Sequence, residues 1–477
     1  MSRSWIWRIG ALCSVVALSG CSPSATPSAP PTAAATAVAQ TGATAQAAAP
    51  TVAAAAKPVA TAAAQAAPTL ASVAATAAPT ALAAAQAAAG GGKLTDGKVV
   101  LALLTDMSGV YAQISGPNAL KAVQMAVDDF KAKYGDNALG GPIEVISADH
   151  QNKPDLGNSK AQEMYDRDGA DVILDVPTSS VALAVANVAK DRKKLYVNVG
   201  AATTDLTGAQ CNKYTYSYAY DTYMLANGTG VEVTKQGGNK WYIVYPDYAF
   251  GQDMNKSFTA AIQKAGGTIL ASDATPFPNE DFSTYLLKAP SLQPTTLGVM
   301  QAGQDLVNVV KQYNEFKLKD QGISLAIGLL FDSDIKALGQ DAYAGDLYTT
   351  AWVWNQDDQA RQWADRFQKV TGVRPTWAQA GDYSAAWQYM DAVRRAGTDD
   401  ADAVVNQLDN YKFEDFYVRN GMIRKEDHRV VHDAYLAQVK PSSEAKEDGD
   451  YANVLRTIPA EQAFRPISDS QAAGCKM

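Results

Sequence analysis

The chain has 477 residues, a formal net charge of −8 at pH 7 and a hydrophobic content of 47%. It has no long cluster of lysine and arginine, which argues against nucleic acid as a partner. The part that follows the low-complexity N-terminal region is long enough for two domains of ordinary size.

Residues 1–20 are predicted to be a lipoprotein signal peptide. Arg3 and Arg8 form a short basic region, and the apolar run Ile9–Leu18 is too short to span a bilayer. The run leads into Leu18-Ser19-Gly20-Cys21, which resembles the bacterial lipobox. The resemblance implies cleavage before Cys21, lipid attached to that residue, and an extracytoplasmic protein held at the membrane through lipid only. An ordinary signal peptide with a chance cysteine is the alternative.

Residues 21–92 are predicted to be the lipidated cysteine followed by a disordered tether. The segment after the cysteine consists almost entirely of alanine, proline, threonine, serine, glutamine and glycine, and it has no aromatic residue. Such a composition cannot bury enough apolar surface to offset the entropy lost on ordering. A lipid at one end of a long spacer suits a domain that is held near a membrane and still turns freely.

From Val99 onward, short apolar runs alternate with amphipathic runs, which predicts repeated strand–helix units. Two such series, joined by an extended segment near Tyr216, predict an α/β fold of two doubly wound lobes. Helices at Asp357–Val370, Gln379–Arg395 and Ala401–Asp409 and a strand at Ala434–Val439 are predicted to follow. The predicted strands of the two series are Val99–Leu104, Ile143–Ala148, Val172–Val176 and Leu195–Val199, then Trp241–Tyr245, Thr268–Ala271, Leu297–Gln301 and Ser324–Gly328.

The segment Val172–Thr207 contains the strongest candidate for a ligand site. It reads as strand, Pro-Thr-Ser-Ser turn, amphipathic helix and second strand, which is one right-handed crossover in a parallel sheet. Thr178, Ser179 and Ser180 then lie where the strand stops and the helix begins, at the sheet edge where such folds bind ligands. Their hydroxyls can cap the helix, and its unpaired N–H groups can bind a carboxylate. Helix capping alone is the alternative.

Five segments occur in the order and spacing of a known family, and the chain resembles that family from about residue 97 onward. The segments are TDMSGVYAQISGPNALKAVQMAV, SADHQNKPD, Val172–Thr207, YPDYAFGQD and QAGQDLVNVVKQ. They resemble the type I periplasmic solute-binding proteins of branched-chain amino acid ABC transporters. The resemblance implies two α/β lobes that are joined by three crossing strands and close on a small ligand.

The resemblance also implies an organisation and partners. Residues 93–217 plus 351–421 would form lobe 1, and residues 218–350 plus 422–477 would form lobe 2 with the C-terminal tail. The expected partners are a small-molecule ligand and ABC permease subunits, and the expected state is a monomer without a cofactor.

Several ligand contacts follow from the same resemblance. Thr178 and Ser179 match the family's serine pair that takes the ligand carboxylate, and the Gly200 loop matches the segment that adds backbone and hydroxyl contacts. Phe250 falls where amino acid binders place a tyrosine across the cleft. The full set of expected contacts is Tyr111, Thr178, Ser179, Ser180, Gly200, Ala201, Ala202, Thr203, Tyr220, Tyr248, Phe250, Gly303, Gln304, Asp332 and Trp354.

The sequence departs from the family at the position that recognises an amino group. Amino acid binders of the family place an acid near Leu329–Phe331, but here that stretch is apolar and Asp332 is the first acid. The tyrosine expected after the first strand aligns with Ile114. An unpaired ammonium in an apolar cleft is costly. Either Asp332 turns into the cleft, or the ligand is an apolar or aromatic carboxylate without an ammonium group.

The remaining cysteines and histidines carry two further predictions. Cys211 and Cys475 are the thiols left after the signal peptide and the anchor, and two thiols in an exported chain suggest one disulfide. His428 and His432 have metal-ligand spacing for a helix, but the two valines between them favour an extended surface segment without metal.

The chain lacks G-x-S-x-G, P-loop and C-x-x-C motifs, which argues against an enzyme. A transport receptor is favoured on these grounds, and a lipid-anchored ligand sensor with the same fold is the alternative.

Overall fold

The computed structural model describes residues 93–477. The predicted signal peptide, Cys21 and the tether lie outside the described residues. The described helices are α1 Gly116–Tyr134, α2 Pro154–Asp166, α3 Ser179–Arg192, α4 Thr222–Leu225, α5 Val231–Lys235, α6 Ala249–Lys264, α7 Ser283–Leu292, α8 Gln304–Glu315, α9 Asp332–Leu338, α10 Asp358–Thr371, α11 Trp377–Ala396, α12 Ala401–Leu408, α13 Ala460–Ala463 and α14 Ile467–Ala472. The described strands are β1 Val99–Thr105, β2 Ile143–Asp149, β3 Val172–Asp175, β4 Leu195–Asn198, β5 Thr215–Ser217, β6 Lys240–Pro246, β7 Thr268–Thr275, β8 Thr296–Val299, β9 Ser324–Ile327, β10 Leu347–Thr350, β11 Lys412–Phe413, β12 Gly421–Ile423, β13 Val430–Val431, β14 Ala434–Val439 and β15 Ala452–Ile458.

Two parallel sheets organise these elements and confirm the predicted α/β fold. The first sheet has the strand order β2-β1-β3-β4-β5, and the second has the order β7-β6-β8-β9. Every residue of β1 is buried, because helices cover both faces of a parallel sheet and its strands are therefore apolar throughout. We call the body around the first sheet the first lobe and the body around the second sheet the second lobe.

The chain passes between the lobes three times. It leaves the first sheet after β5 and enters the second at β6, and it returns after β10, because α11 packs against α1 of the first lobe. It crosses again after β13, since β14 pairs with β10 and β15 in an antiparallel sheet beside the second lobe. Crossings of this kind allow two bodies to close on a ligand by a hinge motion.

Two features of the fold were not expected from the sequence. The helical segment from Thr222 to Lys235 contains a π-helical turn, Ala226–Gly230. A Cβ on Gly228 would lie 2.0 Å from Thr349 Oγ1, so only glycine lets this turn approach β10. The short strands β10 to β13 and the edge strand β15 were not predicted, because none has a clear alternation of apolar and polar residues.

The C-terminal tail packs beside the loop that follows β4. A disulfide joins Cys211 and Cys475, whose Cα atoms lie 5.3 Å apart although they are 264 positions apart in the chain. Arg465 Nη2 donates to the carbonyl oxygen of Thr204 at 2.6 Å. The disulfide predicted from the sequence thus ties the last residues of the chain covalently to the first lobe.

The two histidines of the HRVVH segment are buried. The extended conformation was predicted, and Val430–Val431 form strand β13. The predicted surface position is wrong, because the His432 ring nitrogens face the carbonyl oxygens of Ala219 and Asp433, each at 2.8 Å, and His428 stacks on Tyr216.

Within residues 93–477, no three acidic, histidine or cysteine side chains are grouped as metal ligands. None of the helices in this range has the length and hydropathy needed to cross a membrane.

Candidate ligand-binding cleft

A small cavity lies between the lobes at the carboxyl ends of the parallel strands. The empty space between its atoms, counted together with space open to solvent, amounts to about 240 Å³. None of its lining residues carries a formal charge. These residues are Tyr111, Ile114, Pro177, Gly200, Tyr220, Tyr248, Phe250, Ala302, Leu329 and Phe331.

Five of the residues named from the sequence meet in this lining: Tyr111, Gly200, Tyr220, Tyr248 and Phe250. The hydroxyls of Tyr111 and Tyr248 form a hydrogen bond with each other across the cavity. Burial raises the pKa of both phenols well above the usual value, so both hydroxyls remain protonated and neutral. The two tyrosines therefore offer hydroxyl groups, but no charge, to a ligand.

The N-terminus of α3 lies directly beside the cavity wall at Pro177. Thr178 takes the position before the first helical residue, but its side chain does not cap the helix. Its hydroxyl donates instead to the amide oxygen of Asn152, whose amide nitrogen donates to Asp106 at 2.6 Å. The Ser179 hydroxyl is fully buried and has no hydrogen-bond partner among the described residues. Ser179, rather than Thr178, thus retains a hydrogen for a ligand.

Backbone N–H groups at the same edge are also unpaired. The first turn of α3 has no side-chain cap, and the N–H groups of Ser179, Ser180 and Val181 have no acceptor among residues 93–477. The same holds for the N–H groups of Ala202 and Thr203 in the loop after β4, which are buried. Buried N–H groups are nearly always paired, and a helix N-terminus carries partial positive charge. This edge is therefore suited to bind an anion.

The loop Gly200–Thr203 is held in shape by its neighbours. Asn198 accepts from the Ala201 N–H at 3.0 Å and donates to the Ala201 carbonyl at 2.7 Å. The Tyr220 hydroxyl donates to the Gly200 carbonyl at 2.7 Å. A Cβ on Gly200 would lie 2.4 Å from Asp175 Oδ1, so a glycine is required at this place. The loop is thus preorganised before a ligand arrives.

Backbone strain is concentrated in the turn that leads into α3. Asp175 and Val176 have φ angles of 77° and 62°, a left-handed region that residues other than glycine rarely adopt. Valine is β-branched and is particularly unfavourable there. Such strain is typical of binding sites, where the surrounding structure holds the backbone in an unusual conformation.

Ten of the fifteen predicted contacts are not among the residues that line the cavity, and three of these ten lie clearly elsewhere. Asp332 begins α9 and lines a separate groove with Gln379, so it does not turn into the cleft. Trp354 is buried elsewhere, where its ring nitrogen donates to the Gly449 carbonyl at 2.7 Å. The Gln304 side chain is exposed and bonds to Asn308 on its own helix. Helix geometry and burial therefore exclude these side chains from the cavity.

Several lining residues were not assigned from the sequence. Pro177, Ala302 and Leu329 are small or apolar, and such residues have no chemical signature that separates a cavity wall from a core. Trp377 supports the wall from behind: its ring stacks on Phe331 at 4.3 Å, and its ring nitrogen donates to the Leu330 carbonyl at 3.3 Å. Because Trp377 belongs to the first lobe, this contact also joins the two lobes.

Further contacts hold the lobes against each other around the cavity. The Gln304 N–H donates to the Val110 carbonyl at 3.2 Å, and a Cβ on Gly303 would lie only 2.3 Å from that oxygen. Asp253 on α6 accepts from the Thr204 N–H at 2.7 Å. The lobes therefore touch on both sides of the cavity, as expected for a closed state.

Two α/β lobes that close on a small interlobe cavity define a solute-binding protein. The chain belongs to the periplasmic binding protein family, because the family model described as "Periplasmic binding protein" matches residues 98–449. The family implies an extracytoplasmic location.

Solved structures and a curated relative agree with this assignment. A periplasmic binding protein from Burkholderia mallei is 43% identical with a TM-score of 0.75, over 78% of this chain and 97% of that chain. A branched-chain amino acid ABC transporter periplasmic ligand-binding protein from Burkholderia xenovorans LB400 is 38% identical with a TM-score of 0.70, over 78% of this chain and 98% of that chain. The Leu/Ile/Val-binding protein homolog 4 of Brucella melitensis is 20% identical over 354 residues, which are 69% of this chain and 82% of the relative.

Proposed function

We propose that this chain is the substrate-binding lipoprotein of an ABC importer. The protein acts as a monomer. It captures a small apolar or aromatic carboxylate by closure of the two lobes and delivers this ligand to the permease. Cys21 would carry the lipid, and the segment up to residue 92 would be the tether. One observation carries the ligand assignment: unpaired N–H groups and the Ser179 hydroxyl gather at the edge of a cavity whose walls carry no charge.

The anionic end of the ligand would lie at the N-terminus of α3. Ser179 would donate its hydroxyl hydrogen, while the N–H groups of Ala202 and Thr203 would approach from the neighbouring loop. Charge-assisted hydrogen bonds of this kind are stronger than neutral ones, and the helix dipole adds to them. Thr178 would position Asn152 rather than contact the carboxylate, because its hydrogen is already donated.

The body of the ligand would fill the apolar part of the cavity. Ile114 of the first lobe and Leu329, Phe331 and Phe250 of the second lobe offer aliphatic and aromatic surface. A ligand ammonium group would meet no carboxylate in this lining, and an unpaired buried ammonium is strongly unfavourable. These features favour a carboxylate that lacks an amino group. A branched-chain amino acid, the substrate named for the Burkholderia xenovorans relative, is the second candidate.

A lipid-anchored ligand sensor would use the same cleft without transport. The binding step is the same for both functions, so binding measurements do not separate them. Uptake of the ligand by cells that have or lack the gene does: loss of uptake supports transport, and unchanged uptake with a lost response supports sensing.

A thermal-shift screen of the purified protein tests the ligand class. The panel contains leucine, isoleucine and valine, then benzoate, 4-hydroxybenzoate and cinnamate, and finally short neutral amides. A ligand at one hundred times its Kd stabilises the folded state by about 2.7 kcal/mol, which raises the melting temperature measurably. We expect shifts with the aromatic acids. Shifts only with the amides would contradict the carboxylate assignment.

The variant Ser179→Ala tests the proposed anion site. A hydrogen bond to a charged group contributes about 1.5–3 kcal/mol, so we expect carboxylate affinity to fall about tenfold or more. Ser217→Ala is the matched control, because Ser217 is also a buried serine with no hydroxyl partner among the described residues but lies on strand β5 rather than at the N-terminus of α3. Equal affinities of the two variants would refute the placement of the carboxylate.

A further inference from the structure

Two buried carboxyl groups lie on elements of the first lobe that pack against each other, strand β3 and helix α11. Asp175 ends strand β3, and Asp382 lies in the second turn of α11; neither side chain is exposed. Asp175 Oδ2 and both carboxyl oxygens of Asp382 have no hydrogen-bond partner among residues 93–477. A buried carboxylate without partners is strongly unfavourable, so these groups require protons.

The pair lies directly against the proposed binding site. A Cβ on Gly200 would lie 2.4 Å from Asp175 Oδ1, so nothing separates this carboxyl group from the Gly200 backbone that lines the cavity. The same oxygen accepts a hydrogen bond from Ser115 at 3.1 Å. A change of charge on Asp175 would act on a ligand through a short, poorly screened distance.

The titratable and charged groups around Asp175 do not neutralise it. Asp106, at the end of the neighbouring strand β1, raises the pKa of Asp175 by its negative charge, and Tyr196 and Tyr220 face the pair as neutral phenols. The buried guanidinium of Arg429 lies near the phenols of Tyr220 and Tyr417, and its positive charge lowers the pKa of both. The Tyr417 phenol also faces Asp382.

Burial is the dominant effect on both carboxyl groups. It raises the pKa of Asp175 to about 7, and it raises the pKa of Asp382 well above the usual range, with a further contribution from Asp175. One proton therefore stays on the pair at neutral pH, whereas the second proton is bound below neutral pH and lost above it.

We propose that Asp175 and Asp382 together hold one proton in the ligand-free protein and take up a second proton when an anionic ligand is captured. This inference rests on the proposed function, because it assumes a carboxylate beside Gly200. The second proton comes from solvent and binds a carboxylate oxygen of the pair. The net charge of the closed site therefore stays the same although an anion has entered.

Proton uptake makes ligand affinity depend on pH. Between pH 6 and pH 8 the ligand-free pair loses its second proton, whereas the occupied site retains it. We expect binding at pH 8 to be about five- to tenfold weaker than at pH 6. Benzoate and leucine keep the same charge over this range, so the change would belong to the protein.

Titration calorimetry with benzoate and with leucine tests the proposal. Phosphate and Tris release different heats when they give up a proton, so the difference between the buffers counts the protons taken up. We expect about half a proton or more per ligand at pH 8 and close to none at pH 6. Heats that do not depend on the buffer at pH 8 would overturn the proposal. Absence of any heat with every carboxylate would instead contradict the proposed function.

Asp175→Asn is the diagnostic variant. Asparagine tolerates the left-handed backbone at this position, so the fold is expected to persist. The variant should bind at pH 8 about as tightly as the wild type binds at pH 6, without proton uptake. Asp305→Asn is the control, because burial also raises the pKa of Asp305 to about 7 and its charge acts on Tyr111 and Tyr248. Uptake that persists in Asp175→Asn and disappears in Asp305→Asn would overturn the assignment.

The ligand-free protein offers a second readout. A carboxyl group whose pKa is raised on folding destabilises the protein as pH rises from the unfolded pKa toward the folded one. We expect the melting temperature of the wild type to fall relative to Asp175→Asn between pH 5 and pH 7 and to change little above that. Parallel curves for the two proteins would overturn the proposed ionisation of Asp175 without reference to any ligand.

Discussion

Substitution of Gly303 by alanine should block lobe closure specifically. Gly303 precedes α8 in the second lobe and has a φ of 59°. A Cβ at this position would lie 2.3 Å from the Val110 carbonyl oxygen and 3.1 Å from the Tyr111 ring, and both belong to the first lobe. The clash therefore exists only when the lobes are closed, because Gly303 is separated from Val110 and Tyr111 in an open protein.

The magnitude follows from the contacts that must be lost. Overpacking of this kind costs about 1–3 kcal/mol, and the hydrogen bond from Gln304 N–H to Val110 contributes about 0.5–1.5 kcal/mol. The combined loss of about 1.5–4.5 kcal/mol corresponds to a Kd that is about tenfold weaker or more. The general cost of alanine at a positive φ appears in stability but not in affinity, because it is present in both the open and the closed state.

Gly339→Ala provides a matched control for backbone strain. Gly339 also has a glycine-type backbone, with a φ of 97°, but no atom lies within 4 Å of a Cβ placed there. Both variants should lower the melting temperature by a similar amount, while only Gly303→Ala should lower affinity for the stabilising carboxylate in titration calorimetry. Small-angle scattering should show that ligand compacts the control and not Gly303→Ala. Affinities within threefold of each other would refute the closure argument.

Three further predictions concern stability, selectivity and protonation. Replacing Cys211 and Cys475 by serine should lower the free energy of unfolding by about 2–5 kcal/mol in urea titrations; an unchanged midpoint would show that the tail is held without the disulfide. Leu329→Asp places a carboxylate in the cavity wall, so the ratio of leucine affinity to benzoate affinity should rise about tenfold in calorimetry; an unchanged ratio would place the amino group elsewhere. Burial lowers the pKa of His150 to about 4, and its Nδ1 accepts from Asn152 N–H, so stability should be lost as pH falls from about 6.5 to 4, by about 3 kcal/mol. An NMR signal of this imidazole that titrates near pH 6.5 would contradict the prediction.

The local pattern of the sequence was sufficient for the architecture. Alternation of apolar runs with amphipathic runs is a property of neighbouring residues, and it located the parallel strands of both lobes. The turn before Ser179 was recognisable for the same reason, because a strand end followed by hydroxyl residues and a helix is a local signal. Gly200 and Phe250, which line the cavity, were predicted from the resemblance to the family, and Tyr111 was predicted as an aromatic residue of the cleft.

Only the tertiary structure decided which polar groups at the carboxyl ends of the strands remain available to bind a ligand. The Thr178 hydroxyl is occupied by Asn152, which belongs to an earlier loop, and this leaves Ser179 as the donor. Asp332 begins a helix that faces another groove, so proximity in sequence to Phe331 did not bring it into the cavity. The elements that carry Asp175 and Asp382 pack against each other only because α11 returns to the first lobe. The periodicity of a sequence segment depends on neighbouring residues and therefore predicts local structure. Contacts between distant segments depend on how the whole chain packs, and no single segment of sequence specifies that packing.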